Sequence, residues 1–137
     1  MLTQSNEKFN VLRDKPNPVS IIELVHELGG VAILAHPFLI NPKNESLDDY
    51  IEKLIEAGLD GIEACYTYDK TSYKGNRNKF ELQEEIEKKY GNRGLFISGG
   101  SDYHGDYKKN VQNPREIGEA GISIEQFNNS ILYNLSR

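Results

Sequence analysis

The sequence predicts an α/β fold with about three parallel strands and flanking helices. Short apolar runs of strand length alternate with longer segments whose apolar residues recur every three or four positions. Glycines and capping residues stand at the boundaries between these segments. Such alternation is typical of a parallel sheet with right-handed crossovers, either open or closed into a barrel. The 137 residues suit one domain, over residues 18–137, preceded by a polar lead-in over residues 1–17.

Two helices are predicted in the first half of the domain. Asn17 can cap the first, Pro18 suits its first position, and Gly29-Gly30 ends it. Its apolar stripe comprises Ile21, Leu24, Val25 and Leu28. Ser46 and Asp49 resemble a capping box that begins the second helix, and Gly58 closes it. Its apolar face comprises Leu47, Tyr50, Ile51, Leu54 and Ile55.

Two further helices are predicted in the second half. One covers residues 77–90, with Phe80, Ile86 and Tyr90 facing inward. The other begins at Ser123, which with Gln126 forms a capping pair. Its apolar stripe comprises Ile124, Phe127, Ile131 and Leu132.

Three strands are predicted between these helices. Residues 31–35 form a continuous apolar run, the pattern of a strand that is covered on both faces, and this strand stops at His36-Pro37. The second strand covers residues 61–66 and the third covers residues 95–98. The third strand leads into the glycine-rich segment 99–105.

Charge and composition exclude several classes of function. The net charge of -5 provides no basic surface for a nucleic-acid backbone, although a bound cation can still attract phosphate locally. Cys65 is the single cysteine, which excludes an internal disulfide and a thiolate zinc cluster and suits a reducing compartment. No apolar run approaches the about 20 residues that cross a bilayer, and the N-terminus lacks the features of a signal peptide. We therefore expect a cytoplasmic protein.

Potential metal ligands follow two of the three predicted strands. His36 ends the first strand, and Asp102 and His104 follow the third, so two of the three histidines occupy these positions. Functional groups of parallel α/β folds gather at the carboxyl ends of strands. Asp102 and His104 are two positions apart, and in extended backbone residues i and i+2 point to the same side. Both side chains could therefore face one pocket. A carboxylate with imidazoles suits manganese, iron or zinc better than calcium.

Each of these residues also has a structural interpretation. His36 can equally be a buried histidine that is hydrogen-bonded to backbone, and Asp102 an ordinary turn residue. Glu63 can orient a ligand, but a solvated or salt-bridged glutamate is the favoured interpretation. His26 lies off its helix's apolar stripe and is expected to be exposed and inert. Cys65 is expected to be a small buried hydrophobe, because no cationic neighbour is visible in the sequence.

The loop after the second strand is rich in tyrosines and cations. Tyr66, Tyr68 and Tyr73 either line a substrate pocket or are ordinary loop tyrosines. Lys74 and Arg77 can contact phosphate there, although a solvated face explains them as well.

Three segments resemble motifs of the PHP (polymerase and histidinol phosphatase) family. Residues 29–37, Gly-Gly-Val-Ala-Ile-Leu-Ala-His-Pro, resemble its third motif, and Gly-Leu-Asp-Gly-Ile-Glu at 58–63 resembles the segment that follows. Gly-Gly-Ser-Asp-Tyr-His-Gly at 99–105 is similar to its fourth motif and is the most specific match. The resemblance spans about residues 18–105, in the family's order and spacing.

The resemblance implies the C-terminal portion of a metal-dependent phosphoesterase. The family fold is a distorted (β/α)7 barrel whose strand ends hold a cluster of manganese, iron or zinc ions. His36, Asp102 and His104 would each bind one metal and act catalytically through it. The implied substrates are phosphate esters of nucleotides or short oligonucleotides, although the sequence carries no dedicated nucleic-acid-binding module.

The chain departs from the family in its first half. The family begins with a His-x-His motif and further ligands, and no His-x-His occurs in this sequence. Three ligands do not hold three metals, since each ion takes about four. The chain is therefore a fragment of a longer enzyme, a half-protein that pairs with another chain or a second copy, or a degenerate member without catalysis. The rival hypotheses are a non-catalytic binding or assembly module and another metallohydrolase of the amidohydrolase type.

Overall fold

The computed structural model of the chain describes residues 15–105 and 113–135. Residues 1–14 of the predicted lead-in lie outside the described residues. The described elements, in chain order, are α1 (Pro18–Glu27), β1 (Ile33–Leu34), α2 (Leu47–Glu56), β2 (Gly61–Tyr66), α3 (Lys79–Tyr90), β3 (Phe96–Gly100), α4 (Ile124–Asn128) and α5 (Ile131–Leu135). The α/β class and the order of helices and strands in the first 100 residues agree with the prediction.

The three strands form one parallel sheet in the order β1-β2-β3. Leu34 of β1 pairs with Ile62 of β2, and Ile62 pairs with Ile97 of β3. The register between β2 and β3 shifts between Glu63 and Cys65, which is a β-bulge. Because the strands are parallel, their carboxyl ends meet at one edge of the sheet.

The first strand is shorter and less covered than predicted. Only Ile33 and Leu34 are paired as a strand, and both are partly exposed. Among the described residues β1 has a strand neighbour on one side only, because it stands first in the strand order. The full coverage predicted for residues 31–35 is therefore not observed, since Ile33 and Leu34 are partly exposed and Ala35 is exposed.

Side-chain caps begin the helices as the sequence indicates. The N–H of Val19 donates to Asn17 Oδ1 at 3.0 Å, and the N–H of Asp49 donates to Ser46 Oγ at 3.1 Å. Ser123 caps α4 through the N–H of Gln126 at 3.1 Å. α3 begins two residues later than predicted, because Asn78 and Glu81 form a full capping box there.

The main hydrophobic core lies between the sheet, α2 and α3. Its buried members are Ile51, Ile62, Ala64, Ile86, Tyr90 and Leu95. Leu82, Ile86 and Tyr90 recur every four residues on α3 and are buried, as predicted for Ile86 and Tyr90. Phe80 is 70% exposed, so its predicted inward position is wrong. Two residues before Leu82, it lies about 200° around the helix from the buried stripe.

The predicted apolar stripe of α1 is not its buried face. Ile22 is the buried residue of this helix and packs with Leu54 and Leu59. Leu24 is 48% exposed and Leu28 is 79% exposed. A period of apolar residues thus identified the helix but not the side that the rest of the chain covers.

The last predicted helix is two short helices. α4 ends at Asn128, and α5 begins at Ile131. Between them, Ser130 is buried and its hydroxyl donates to the carbonyl of Phe127 at 2.6 Å. Ile124 is 80% exposed, so the predicted stripe is not continuous against the core.

His26 is exposed, but it is not without a role in the fold. Its Nε2 lies 2.8 Å from Oδ2 of Asp60, and the N–H of Ala32 donates to the same oxygen at 2.7 Å. This pair joins α1 to the chain segments that enter β1 and β2. The expectation that His26 is inert is therefore wrong.

Within residues 15–105 and 113–135, no helix is both long enough and apolar enough to cross a bilayer.

Candidate metal site at the strand ends

His36, Tyr66 and Asp102 lie at or just after the carboxyl ends of the three strands. His36 follows β1 by two residues, Tyr66 is the last residue of β2, and Asp102 follows β3 by two residues. Parallel pairing brings these ends to one edge, which is where such folds place their binding groups. Topology alone thus brings the three side chains to the same end of the sheet.

Two of the three predicted ligands, His36 and Asp102, share an unusual backbone conformation. His36 has φ 34° and Asp102 has φ 54°, both in the left-handed region. This region costs a residue with a Cβ about 1–2 kcal/mol, although Asp tolerates it better than most. Backbone strain of this kind is concentrated at functional sites. Pairing, packing and side-chain contacts at this edge must offset its cost.

Tyr66 connects these two residues. Its hydroxyl donates to Oδ2 of Asp102 at 2.9 Å, and its ring centroid lies 5.1 Å from that of His36. Tyr66 is 2% exposed. Burial, and then the hydrogen bond to Asp102, raise the pKa of the Tyr66 phenol to about 12. The hydroxyl therefore keeps its proton at neutral pH and acts as a donor.

His104 is held in a defined tautomer by the backbone. Its Nδ1 lies 2.6 Å from the carbonyl oxygen of Asp102, which can only accept, so Nδ1 carries the proton and donates. In the neutral ring the lone pair is then on Nε2. Backbone carbonyls orient metal-binding histidines in this way. The side chain is 52% exposed, so Nε2 is accessible to a ligand.

His36 carries a buried nitrogen without a partner. Its Nδ1 is buried and has no hydrogen-bond partner among the described residues. Its backbone N–H donates to Oε2 of Glu63 at 2.7 Å. An unsatisfied buried ring nitrogen costs free energy unless a ligand, ion or water completes it. The alternative of a histidine whose ring is hydrogen-bonded to backbone is not observed for Nδ1.

Glu63 is half-buried beside His36 in β2. Burial raises the pKa of its carboxyl group, and the hydrogen bond from His36 opposes this shift. No Lys or Arg of the described residues forms an ion pair with it. The salt-bridged alternative is therefore not observed among the described residues; Glu63 accepts from the backbone of His36, and whether it orients a ligand stays a prediction.

Arg115 is the site residue that the sequence analysis missed. Its guanidinium group forms an ion pair with Oδ2 of Asp102 and also donates to the Asp102 carbonyl at 3.3 Å. The same group lies 5.6 Å from the centroid of the Tyr66 ring. A single arginine thirteen positions beyond Asp102 has no periodicity or motif spacing that would have indicated this contact.

The tyrosines of the following loop are more buried than loop tyrosines usually are. Tyr68 is 2% exposed, and its ring packs against those of Tyr66 at 5.0 Å and Tyr73 at 5.7 Å. Tyr68 and Tyr73 line a surface pocket of about 340 Å³ together with Arg77 and Lys79. They therefore line a pocket, and whether it takes a substrate stays a prediction.

Arg77 and Lys74, the cations that could contact phosphate in the loop after β2, differ in their surroundings. Arg77 pairs with Glu85 and lies over the ring of Phe38 at 5.0 Å from its centroid, so its charge is already engaged. Lys74 is exposed.

Cys65 was predicted to be a small buried hydrophobe. It lies in β2 and is partly exposed rather than fully buried.

The described residues do not form a metal site by themselves. Within residues 15–105 and 113–135, no three His, Cys, Asp or Glu side chains lie together in a group that could hold one ion. Asp102 and His104 lie close to each other. His36 contacts the ring of Tyr66, whose hydroxyl donates to Asp102. The imidazole and carboxylate donors, the buried Nδ1 of His36 and the oriented His104 have the chemistry of manganese, iron or zinc ligands. Their number is below the four or so that such an ion takes.

No protein-family model, curated protein or solved structure matches this chain.

Proposed function

We propose that the chain is the C-terminal portion of a metal-dependent phosphoesterase of the PHP type. In this proposal it contributes His36, Asp102 and His104 to a site that hydrolyses phosphate esters of nucleotides or short oligonucleotides. The three-stranded sheet is then part of a distorted (β/α)7 barrel. The missing ligands come from a preceding half or from a second copy, and the chain by itself is inactive or weakly active.

One observation carries most of the proposal. The two residues that follow β1 and β3 in the resembled motifs both have left-handed backbone conformations, and Tyr66 contacts both. Such strain is not needed to end a strand, because a glycine adopts this conformation at little cost. A site that fixes an imidazole and a carboxylate accounts for it.

Each described group has a specific part in the proposed chemistry. His36, Asp102 and His104 would contribute ligands to a divalent cation, which would supply Lewis acidity and acidify water at neutral pH. His104 presents Nε2 because its Nδ1 is tied to backbone, and Asp102 presents a carboxylate that neutralises cationic charge. Arg115 holds Oδ2 of Asp102 through an ion pair.

Metal binding tests the proposal directly. We expect manganese, added up to millimolar concentration, to broaden the amide NMR signals of Gly100, Ser101 and Asp102 in the purified chain. Asp102→Asn should abolish this localised broadening, because the amide removes the carboxylate charge with little change in shape. Asp69→Asn is the matched control, since Asp69 is exposed and pairs only with Lys79 at 3.6 Å among the described residues. Broadening that is absent, or unchanged in Asp102→Asn, would contradict the proposal.

The reaction class needs a second experiment. Phosphate monoesters, phosphate diesters and anilide amides of nitrophenyl type can be compared with manganese or zinc present. Hydrolysis only of the amides would favour an amidohydrolase-type enzyme over a phosphoesterase.

The exposed side of β1 favours a second candidate, a non-catalytic binding or assembly module. A groove of about 460 Å³ runs along this side and is lined by apolar residues that include Ile21, Val31 and Ile33. Exposed apolar surface beside a strand edge is where partner chains add to a sheet. A chain that assembles but shows no localised manganese effect would favour this candidate.

A further inference from the structure

We propose that the exposed apolar side of α1 is the docking surface for a second copy of this chain, whose own α1 lies against it in the antiparallel direction. We call Ile21, Leu24 and Leu28 the α1 stripe. The inference names the partner of the assembly candidate, and it rests on that candidate and not on metal binding.

α1 is apolar over more of its circumference than the described residues cover. At about 100° per residue, the three residues of the α1 stripe share one side of the helix. Ile22, the buried residue of α1, lies about 100° further round from Ile21. Ile21 is 40% exposed, Leu24 48% and Leu28 79%. Ile21 and Val25 also line the groove beside β1, so the stripe and the groove form one apolar surface. Apolar helix surface of this width is normally buried.

The charges at the two ends of α1 oppose the dipole of the helix. Lys15 is exposed two residues before the cap Asn17, and the first turn contains no acidic residue. Glu27 is exposed at the other end, in the last turn. Among the described residues, neither Lys15 nor Glu27 has an ion-pair partner. Because carboxylates are favourable near a helix N-terminus and cations near its C-terminus, each end of α1 carries the charge that suits the opposite end.

A second α1 supplies the suitable charge at both ends when the two helices run antiparallel. If Ile21 lies against Leu24 of the partner subunit, Glu27 of the partner subunit comes level with Pro18, at the start of the helix and near Lys15. The same contacts repeat across the two-fold axis, as an isologous interface requires. A parallel arrangement would instead place like charges side by side. Charge complementarity therefore favours a second copy, in the antiparallel direction, as the occupant of this surface.

The size of this surface predicts a weak dimer. Three side chains and a groove of about 460 Å³ provide an interface below the about 1,200 Å² of total buried area that is typical of stable complexes. The net charge of -5 on each copy also opposes association. We therefore expect monomer and dimer to exchange at micromolar to millimolar concentrations of the chain.

Sedimentation equilibrium of the full chain over this concentration range measures the dimer. Leu28→Gln should raise the dissociation constant about 100-fold, because the apolar contact is lost twice in a symmetric dimer. Phe80→Gln is the matched control, since Phe80 is 70% exposed on α3 and lies outside the α1 stripe. The NMR spectrum of each variant verifies that it is folded, which is expected because both side chains are exposed.

Charge reversal tests the antiparallel arrangement. Lys15→Glu and Glu27→Lys should each raise the dissociation constant about 3- to 10-fold, because each places like charges together at both ends of the pair. The combined variant Lys15→Glu/Glu27→Lys should return close to the native constant, because opposite charges meet again with their signs exchanged. Glu84→Lys is the charge-matched control for Glu27→Lys, since Glu84 is exposed on α3.

Three results would overturn the inference. The first is a native chain that stays monomeric at millimolar concentration. The second is a dissociation constant that is the same in Leu28→Gln as in Phe80→Gln, which would leave assembly through another surface standing. The third is a combined charge variant that stays as weak as the single reversals. None of the substituted residues belongs to the proposed metal site, so the localised manganese effect tests the phosphoesterase proposal separately.

Discussion

The hydroxyl of Tyr66 donates a 2.9 Å hydrogen bond to Oδ2 of Asp102 and so joins the end of β2 to the segment that follows β3. The parallel register makes this contact possible, since Tyr66 pairs with Gly100, two residues before Asp102. The contact also brings the side chains of two adjacent strand ends into one polar cluster, on which the stability of the edge depends.

Replacing Tyr66 by Phe should weaken this edge without opening a cavity. The variant leaves Oδ2 of Asp102 with Arg115 alone among the described residues, and we expect a loss of about 1 kcal/mol in the free energy of unfolding. Urea unfolding measures it. Tyr73→Phe is the control, since Tyr73 packs on Tyr68 but lies outside the Asp102 cluster. Equal stability of native protein and Tyr66→Phe would show that the hydrogen bond contributes nothing net.

Glu63 should matter as an acceptor for the backbone of His36. Glu63→Ala leaves the His36 N–H without its 2.7 Å partner, and we expect a cost of about 1–3 kcal/mol. Glu63→Gln keeps an acceptor oxygen and should be affected less. Hydrogen exchange of the His36 amide gives a local measurement, which should become faster in Glu63→Ala. Unchanged exchange in that variant would contradict the assigned contact.

Tyr90 should make the fold less stable at alkaline pH. Burial raises the pKa of Tyr90 to about 12, above the value of about 10 for an unfolded tyrosine. Between these pH values the unfolded chain loses its proton and the native chain keeps it, so the stability present below about pH 10 declines as pH rises.

The variant Tyr90→Phe removes this contribution. Its free energy of unfolding should fall less steeply over the same pH range than that of the native protein. Below about pH 10 the variant should be the less stable of the two, because it lacks the 3.2 Å hydrogen bond to Asp48. Urea unfolding at a series of pH values measures both effects, with Tyr50→Phe as the control. Parallel pH curves for native and Tyr90→Phe proteins would disprove the assignment.

Gly99 should not tolerate a methyl group. A Cβ at this position would lie 2.8 Å from Cys65 Cβ and 2.9 Å from the carbonyl oxygen of Gly121. Backbone in β2 and before α4 has to move, and overpacking of this kind costs roughly 1–3 kcal/mol. The midpoint of urea unfolding should fall for Gly99→Ala. Gly121→Ala is the control, because a methyl group there would have no atom of the described residues within 4 Å.

Ile62 should be the most costly of these positions to truncate. It is 0% exposed at the centre of the sheet, and Ile62→Ala should cost about 2–5 kcal/mol through lost burial and the cavity that remains. Phe80→Ala, at a position that is 70% exposed, should stay within about 0.5 kcal/mol. Thermal unfolding measures both losses, and the result for Phe80→Ala tests the corrected orientation of α3. A larger loss of stability for Phe80→Ala than for Ile62→Ala would contradict the exposed position of Phe80 on α3.

The local signals of the sequence account for the elements that were predicted well. Caps at Asn17, Ser46 and Ser123 and the run at 61–66 depend on contacts within a few residues, which spacing records. The inward side of α3 was predicted correctly for Ile86 and Tyr90, which are buried, and wrongly for Phe80, which is exposed. A period identifies the helix, whereas its rotation depends on what packs against it.

The sequence by itself determined the α/β class, the order of the elements through β3, and the placement of His36, Asp102 and His104 after strands. These features follow from periodicity, capping and the rule that side chains at parallel strand ends share one edge. Only the tertiary structure decided that Tyr66 and Arg115 contact Asp102, that Glu63 accepts from His36, and that His26 pairs with Asp60. These contacts join residues 13 to 36 positions apart, so they depend on register and chain path, which no local pattern encodes.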